Sequence, residues 1–229
     1  MGLERAGMQT VAFCEIEDYP RRVLAKHWPE VPIYDDVRTL TADRLAADGI
    51  RGIDVICGGY PCQPFSLAGK RAGAEDDRHL WPEVARLLRE IKPRWAVFEN
   101  VYGHISMGLD EVLSELETLG YTTESFVIPA CAVGLWHRRD RVWIIAYSEG
   151  KYLQHQKMVY QEKVVSEFGR IADASGLRAP SRTADQPSMV GMAHGVPNWV
   201  DRSRAIGNAV VPQIVTTIGE AIINAEAMQ

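Results

Sequence analysis

Residues 51–66 limit what this chain can fold into more than any other stretch. They run Ile53-Asp54-Val55-Ile56-Cys57, then Gly58-Gly59-Tyr60-Pro61-Cys62-Gln63-Pro64-Phe65-Ser66. A short β-branched apolar run reads as a strand buried in a parallel sheet. Two glycines end it, and two prolines bracket one cysteine. Glycine admits positive φ and proline fixes φ, so this is a stiff, sharply turned loop at a strand's carboxyl end. Open α/β sheets carry their chemistry at that edge, and a thiol held there is a candidate nucleophile. Cys57, inside the strand, suits the small buried hydrophobe that a free cysteine usually is. Cys14 and Cys131 lie in similar apolar settings.

Around this stretch strands and helices alternate. Residues 10–15, 31–34, 95–98, 121–128 and 141–147 read as further strands. Residues 18–28, 40–48, 80–91 and 109–119 read as helices, as does a last helix to about Ala227 that buries Ile214, Ile218 and Ile222. Met1 to Gly7 has the look of a helix end, with Gly7 as its stop. The alternation predicts an α/β, doubly wound, Rossmann-like domain. It covers residues 1–147, pauses at a small irregular, polar insert over 148–190, and returns over 191–229.

The chain has 229 residues, 46% of them hydrophobic, enough for one globular domain with a core. Without a signal peptide or a membrane-spanning apolar run, the expectation is a soluble, cytoplasmic protein. Its four cysteines show no zinc-ligand spacing, which predicts free thiols, a reducing compartment and no metal. A net charge of −5 rules out a globally basic nucleic-acid binder. Polyanion contacts must come from local clusters: Lys70-Arg71, Arg138-Arg139 with Arg141, and Arg178, Arg182, Arg202 and Arg204.

Three acids follow expected strands: Glu15, Asp36 and Glu99. An acid after the second strand of a doubly wound sheet binds ribose hydroxyls, and an acid at a helix N-terminus is favoured by the dipole. Both readings stand for Glu15 and Asp36. Glu99 follows four apolar residues, so partial desolvation should raise its pKa and make it a proton donor. His27, His79, His104, His155 and His194 are scattered, which disfavours a Cys-His hydrolase.

Four motifs in order resemble those of the DNA (cytosine-5) methyltransferases. They are Pro61-Cys62-Gln63, Glu99-Asn100-Val101, His137-Arg138-Arg139-Asp140-Arg141 (with His137 where that family has glutamine) and Gly207-Asn208-Ala209-Val210-Val211-Pro212. The resemblance implies an S-adenosylmethionine-dependent methyltransferase fold acting on a flipped cytosine in double-stranded DNA. It implies Cys62 as nucleophile, Glu99 as proton donor to the ring, and Arg139 and Arg141 as base-positioning groups. It implies cofactor contacts from Glu15, Ile16, Asp36, Val37, Gly59, Pro61, Asn208 and Val210, and DNA contacts from Gln63, Ser66, Lys70 and Arg71. No metal or membrane is implied, the chain is expected to be a monomer, and a cognate restriction endonuclease is left open. Two departures stand out. The family's Phe-x-Gly-x-Gly loop and first strand have no counterpart here, since Met1 to Gly7 resembles the end of the helix that follows them. The 148–190 insert is also short for a target-recognition domain. An RNA cytosine-5 methyltransferase and an inactive DNA-binding remnant are the competing readings. The Lys70-Arg71 loop is expected to close on DNA; replacing both residues with alanine should slow transfer, and an unchanged rate would count against that role.

Overall fold

The computed structural model describes residues 1–61, 80–148 and 208–227. Cys62, Gln63, Ser66, Lys70 and Arg71 lie outside these residues, as does nearly all of the expected 148–190 insert. In chain order the elements are α1 (Gly2–Arg5), β1 (Phe13–Cys14), α2 (Asp18–His27), β2 (Ile33–Tyr34), α3 (Ala42–Ala47), β3 (Val55–Gly59) and α4 (Trp81–Ile91). There follow β4 (Trp95–Val101), a 3-10 turn (Tyr102–Ser106), α5 (Leu109–Thr118), β5 (Tyr121–Ile128), a second 3-10 turn (Ala130–Val133), β6 (Arg141–Ser148) and α6 (Pro212–Glu226). Expected and observed elements agree in type. The first two strands are shorter than expected, and β4 runs on through Glu99 and Asn100. Helix α4 stops at Lys92, which takes a left-handed φ of 51° one residue before Pro93.

The strands form two sheets. β1 pairs parallel with β2. The larger sheet has the order β3-β4-β6-β5, with β3 parallel to β4 and both β6 pairings antiparallel. Among the described residues no ladder joins the two sheets, and β3 is paired on one edge only. Cys57 is exposed as a residue, with Gly58 and Gly59 beside it, yet its sulfur is desolvated, and burial holds the thiol above its usual range, in keeping with the expected buried cysteine side chain. Cys14 is exposed as well, and Cys131 alone of these three residues is buried.

Side chains alternate across a strand, so β4 feeds two cores. Trp95 and Val97 join Trp143 and Ile145 of β6 under Ile214, Ile218 and Ile222 of α6. Ala96 and Phe98 join Val142, Ile144 and Ala146 under Ala85 and Leu88 of α4 and Val112 and Leu116 of α5. Each large side chain buried this way stabilises the fold by about 1.5–3 kcal/mol. Tyr34, Leu40 and Leu45 pack on Leu87 of α4 and dock the small sheet. The Arg86 guanidinium strengthens that junction, donating to the carbonyls of Val37 and Leu40 at 2.9 Å each. Among the described residues no helix is long and apolar enough to cross a membrane.

Helices α1 and α6 touch through glycine. A Cβ on Gly219 would stand 2.7 Å from the Ala6 Cβ, closer than carbon atoms approach. Gly219→Leu should cost about 1–3 kcal/mol at this contact. Hydrogen exchange should then speed up in residues 2–6 while β4 and β6 stay protected. Uniform protection in the variant would show that α1 does not depend on this approach.

Candidate active site

The site sits where β3 and β4 end and β6 begins, because an antiparallel neighbour starts where its partner stops. Register does the positioning. Gly59 lies opposite Glu99, and Val101 lies opposite Arg141. Glu99 and Arg141 are then diagonal neighbours on one face, within reach of long side chains. Arg141 Nε meets Glu99 Oε1 at 2.8 Å, with side-chain exposures of 21% and 13%. That burial makes the pair more than a surface contact, since neither charge is well hydrated. A Cβ on Gly59 would lie 3.4 Å from Glu99 Oε2, so glycine keeps the space beside the carboxylate open.

Asn100 is the next residue and must face the other way. Its Nδ2 donates to the Tyr60 carbonyl at 3.1 Å, and its Oδ1 accepts from the Val101 amide at 2.9 Å. The Glu-Asn pair thus serves two faces: Glu99 toward Arg141, Asn100 toward the backbone that leads into Pro61. Pro61 itself is exposed.

Arg139 holds an unusual backbone, a left-handed φ of 39° in a non-glycine residue. Its Nη2 donates to the Ala209 carbonyl at 2.7 Å, so two of the four motifs, seventy residues apart, meet here. Asn208 and Val210, on either side, are exposed. Arg138 pairs with Asp140 at 2.9 Å and stays outward.

The acids of the small sheet form a separate group. Glu15 follows β1, and its Oε1 accepts from the Glu17 amide at 2.8 Å, at the start of α2. Asp36 follows β2 and is bound by Arg38 at 2.8 Å, which holds its carboxyl below the usual range. Ile16 between them in sequence is 57% exposed, and Val37 packs under α3 and α4. Cys14 is exposed as a residue, yet its sulfur is crowded. Desolvation first, then the charges of Asp36, Glu15 and Asp35, push the thiol up to about 11. It is no nucleophile at neutral pH.

Two site residues were not legible in the sequence. His104 looked scattered, yet its Nε2 lies 2.8 Å from Tyr60 Oη in the buried face of the site. Neither spacing nor alternation signals that contact, because the two residues come together only through the β3–β4 pairing.

A family model described as C-5 cytosine-specific DNA methylase matches residues 1–185. The chain belongs to the C-5 cytosine-specific DNA methylase family. It is 35% identical over 151 residues to the Type II methyltransferase M.NgoMIV of Neisseria gonorrhoeae, covering 64% of this chain and 47% of that one. It is 31% identical over 199 residues to M1.HphI of Haemophilus parahaemolyticus, covering 83% of this chain and 52% of that one. The chain thus spans about half the length of these relatives. In fold it is similar to Spodoptera frugiperda DNMT2, with a TM-score of 0.55 at 21% identity over 68% of this chain and 49% of that one. It is equally similar to a DNA modification methyltransferase encoded in an Escherichia coli prophage, with a TM-score of 0.55 at 24% identity over 69% and 46%. These neighbours establish the Rossmann-like methyltransferase fold.

Glu99 titrates above its ordinary 4.5 because burial outweighs the opposing charges of Arg141 and Arg139. Between 4.5 and its raised folded value, the folded chain holds more protons here than the unfolded one. The contribution of Glu99 to stability is therefore complete below 4.5 and is lost as pH rises through the folded value. Glu99→Gln removes that slope. Urea midpoints of both proteins from about pH 4 to about pH 7 check it, and parallel pH profiles would refute the assignment.

Proposed function

We propose that this chain is a DNA cytosine-5 methyltransferase whose Cys62 bonds transiently to the target base. The observation that carries the reading is the Glu99–Arg141 pair, half-hidden from water across from Gly59, three residues before Cys62. Family membership supplies the chemistry such a pair would serve.

The target cytosine leaves the stack, at a cost of a few kcal/mol. The Cys62 thiolate adds to ring carbon 6, and the displaced electron pair moves toward nitrogen 3. Glu99 donates its proton there, a role that its raised pKa favours. Arg141 fixes the carboxyl's orientation through the 2.8 Å contact, and Arg139 steers the base and the adjoining backbone. S-adenosylmethionine, when bound, supplies the methyl group to carbon 5. A base then takes the carbon 5 proton, Cys62 leaves carbon 6 with its electron pair, and nitrogen 3 returns its proton to Glu99. The free thiol has a pKa of ~8.5, so thiolate formation limits this step at neutral pH.

The residues at the ends of β1 and β2 suit that cofactor. Carboxylates at Glu15 and Asp36 are acceptors for ribose hydroxyls, and exposed Ile16 offers an apolar face to an adenine. Val37, Gly59, Pro61, Asn208 and Val210 complete the set. Gln63, Ser66, Lys70 and Arg71 take the DNA. The Type II names of the relatives support pairing with a restriction endonuclease, in a monomeric, cytoplasmic protein whose residues 148–190 select the target and whose residues 191–229 rejoin the catalytic domain.

Calorimetry with S-adenosylmethionine and transfer of labelled methyl groups to duplex DNA test the reading. The chain should bind the cofactor and label cytosine, and Cys62→Ala should bind it without labelling. Labelling of tRNA but not duplex DNA would move the substrate to RNA. No cofactor binding would leave a DNA-binding remnant.

A further inference from the structure

Strand register fixes what surrounds Glu99 on its face of the sheet. Gly59 lies opposite it on β3, and Trp143 lies opposite it on β6. Directly opposed residues share a face, with Cβ atoms about 4.5–5.5 Å apart. One row further into the sheet on that face stand Cys57, Val97 and Ile145. One row toward the edge stand Val101 and Arg141. The carboxyl therefore has apolar residues behind it, a guanidinium in front, no side chain on the β3 side and an indole on the β6 side.

Trp143 is the largest of these neighbours. It is 3% exposed and belongs to the core that α6 covers through Ile214 and Ile218. Its Nε1 is buried and has no hydrogen-bond partner among the described residues. An unpaired buried donor is a cost that phenylalanine would avoid. The wider, bicyclic ring offsets that cost where a flank must be kept dry. Phe126 follows it in the same row on β5, so apolar rings extend two strands beyond Glu99.

Few charged groups face this carboxyl. Arg141 meets it at 2.8 Å, and Arg139 adds a second positive charge. Strand β3 contributes the Cys57 thiol, itself held above its usual range by burial. Helix α6 faces this core with isoleucines, and its Glu226 is bound to Arg94 at the far end of β4. Glu124 of β5 lies beyond Ile145, two strands away. Both nearby charges favour the carboxylate, yet Glu99 titrates above 4.5, so desolvation by its neighbours outweighs them.

We propose that Trp143 is a positioning residue for Glu99: its indole shuts water away from the carboxyl on the β6 side and leaves the Gly59 side as the approach for the base. The inference deepens the proposed function by naming what keeps its proton donor dry. It rests on that reading only for the kinetic arm of the test.

The test uses the full 229-residue chain, isotopically labelled at the glutamate side-chain carboxyls, with Glu99→Gln to assign the Glu99 resonance. Carbon NMR against pH then gives the Glu99 pKa without DNA or cofactor. Wild-type Glu99 should titrate above 4.5. Trp143→Phe keeps a ring in the core and should lower that pKa by about 0.3–0.5, and Trp143→Leu by about 1, as water reaches the carboxyl. Ile222→Ala is the control. It opens the same core one turn before Glu226, which reaches Trp95 at the other end of β4. That variant should lower Tm while the Glu99 pKa stays within about 0.1 of wild type. In methyl transfer, the high-pH limb of kcat should move down by the same step as the NMR value in each Trp143 variant. An unmoved Glu99 in folded Trp143→Phe would overturn the proposal, and that variant suffices if Trp143→Leu does not fold. An equal fall in Ile222→Ala would also overturn it, by assigning the dryness to the core as a whole. So would a wild-type Glu99 that titrates at or below 4.5. A wild-type chain that transfers no methyl group would defeat the catalytic reading, and the NMR values would still decide the role of Trp143.

Discussion

Neighbouring residues of a strand cannot share a face, and the site of this protein depends on that constraint at Glu99 and Asn100. Had β4 ended at Phe98, both side chains would sit in a loop and could turn the same way. Because the strand continues to Val101, Glu99 is directed to the α6 side and Asn100 to the α4 and α5 side. The carboxylate then finds Arg141 across the β4–β6 ladder, and the amide finds the Tyr60 carbonyl across the β3–β4 ladder. One acid gains a partial burial that raises its pKa, and one amide holds the Tyr60 carbonyl just beyond β3. The two effects share a backbone and cannot be tuned apart.

The sheet sets what surrounds Gly58 and Gly59. Glycine weakens a strand through entropy and lost packing. At Gly59 an added Cβ would meet Glu99 Oε2 at 3.4 Å, an ordinary contact distance, so glycine leaves room beside the carboxylate without being required there. At Gly58 no atom lies within contact distance, in keeping with a β3 edge that carries no ladder partner among the described residues. Exposed backbone of this kind on an edge strand invites pairing with further chain.

The far end of the chain returns to brace the near end. Helix α6 covers one core, meets α1 through Gly219, and sends Glu226 to Arg94 at 2.6 Å and to Trp95 Nε1 at 2.8 Å, both at the start of β4. Arg139 grips the Ala209 carbonyl just before that helix. The C-terminal motif is therefore tied to the sheet edge through its Ala209 carbonyl, while Asn208 and Val210 remain exposed.

The amino-acid sequence by itself determined the element types, the helix stops, the apolar stripe of α6 and the family. These depend on local periodicity, on glycine and proline geometry, and on motifs a few residues long. It also foretold that Glu99 would be desolvated, since four apolar residues precede it. Tertiary structure alone decided who meets whom. The antiparallel β6 brings Arg141 to Glu99, and the β3–β4 pairing brings Tyr60 under Asn100 and His104. Local patterns set which residues can be buried, but only the pairing of distant strands sets which groups they are buried against.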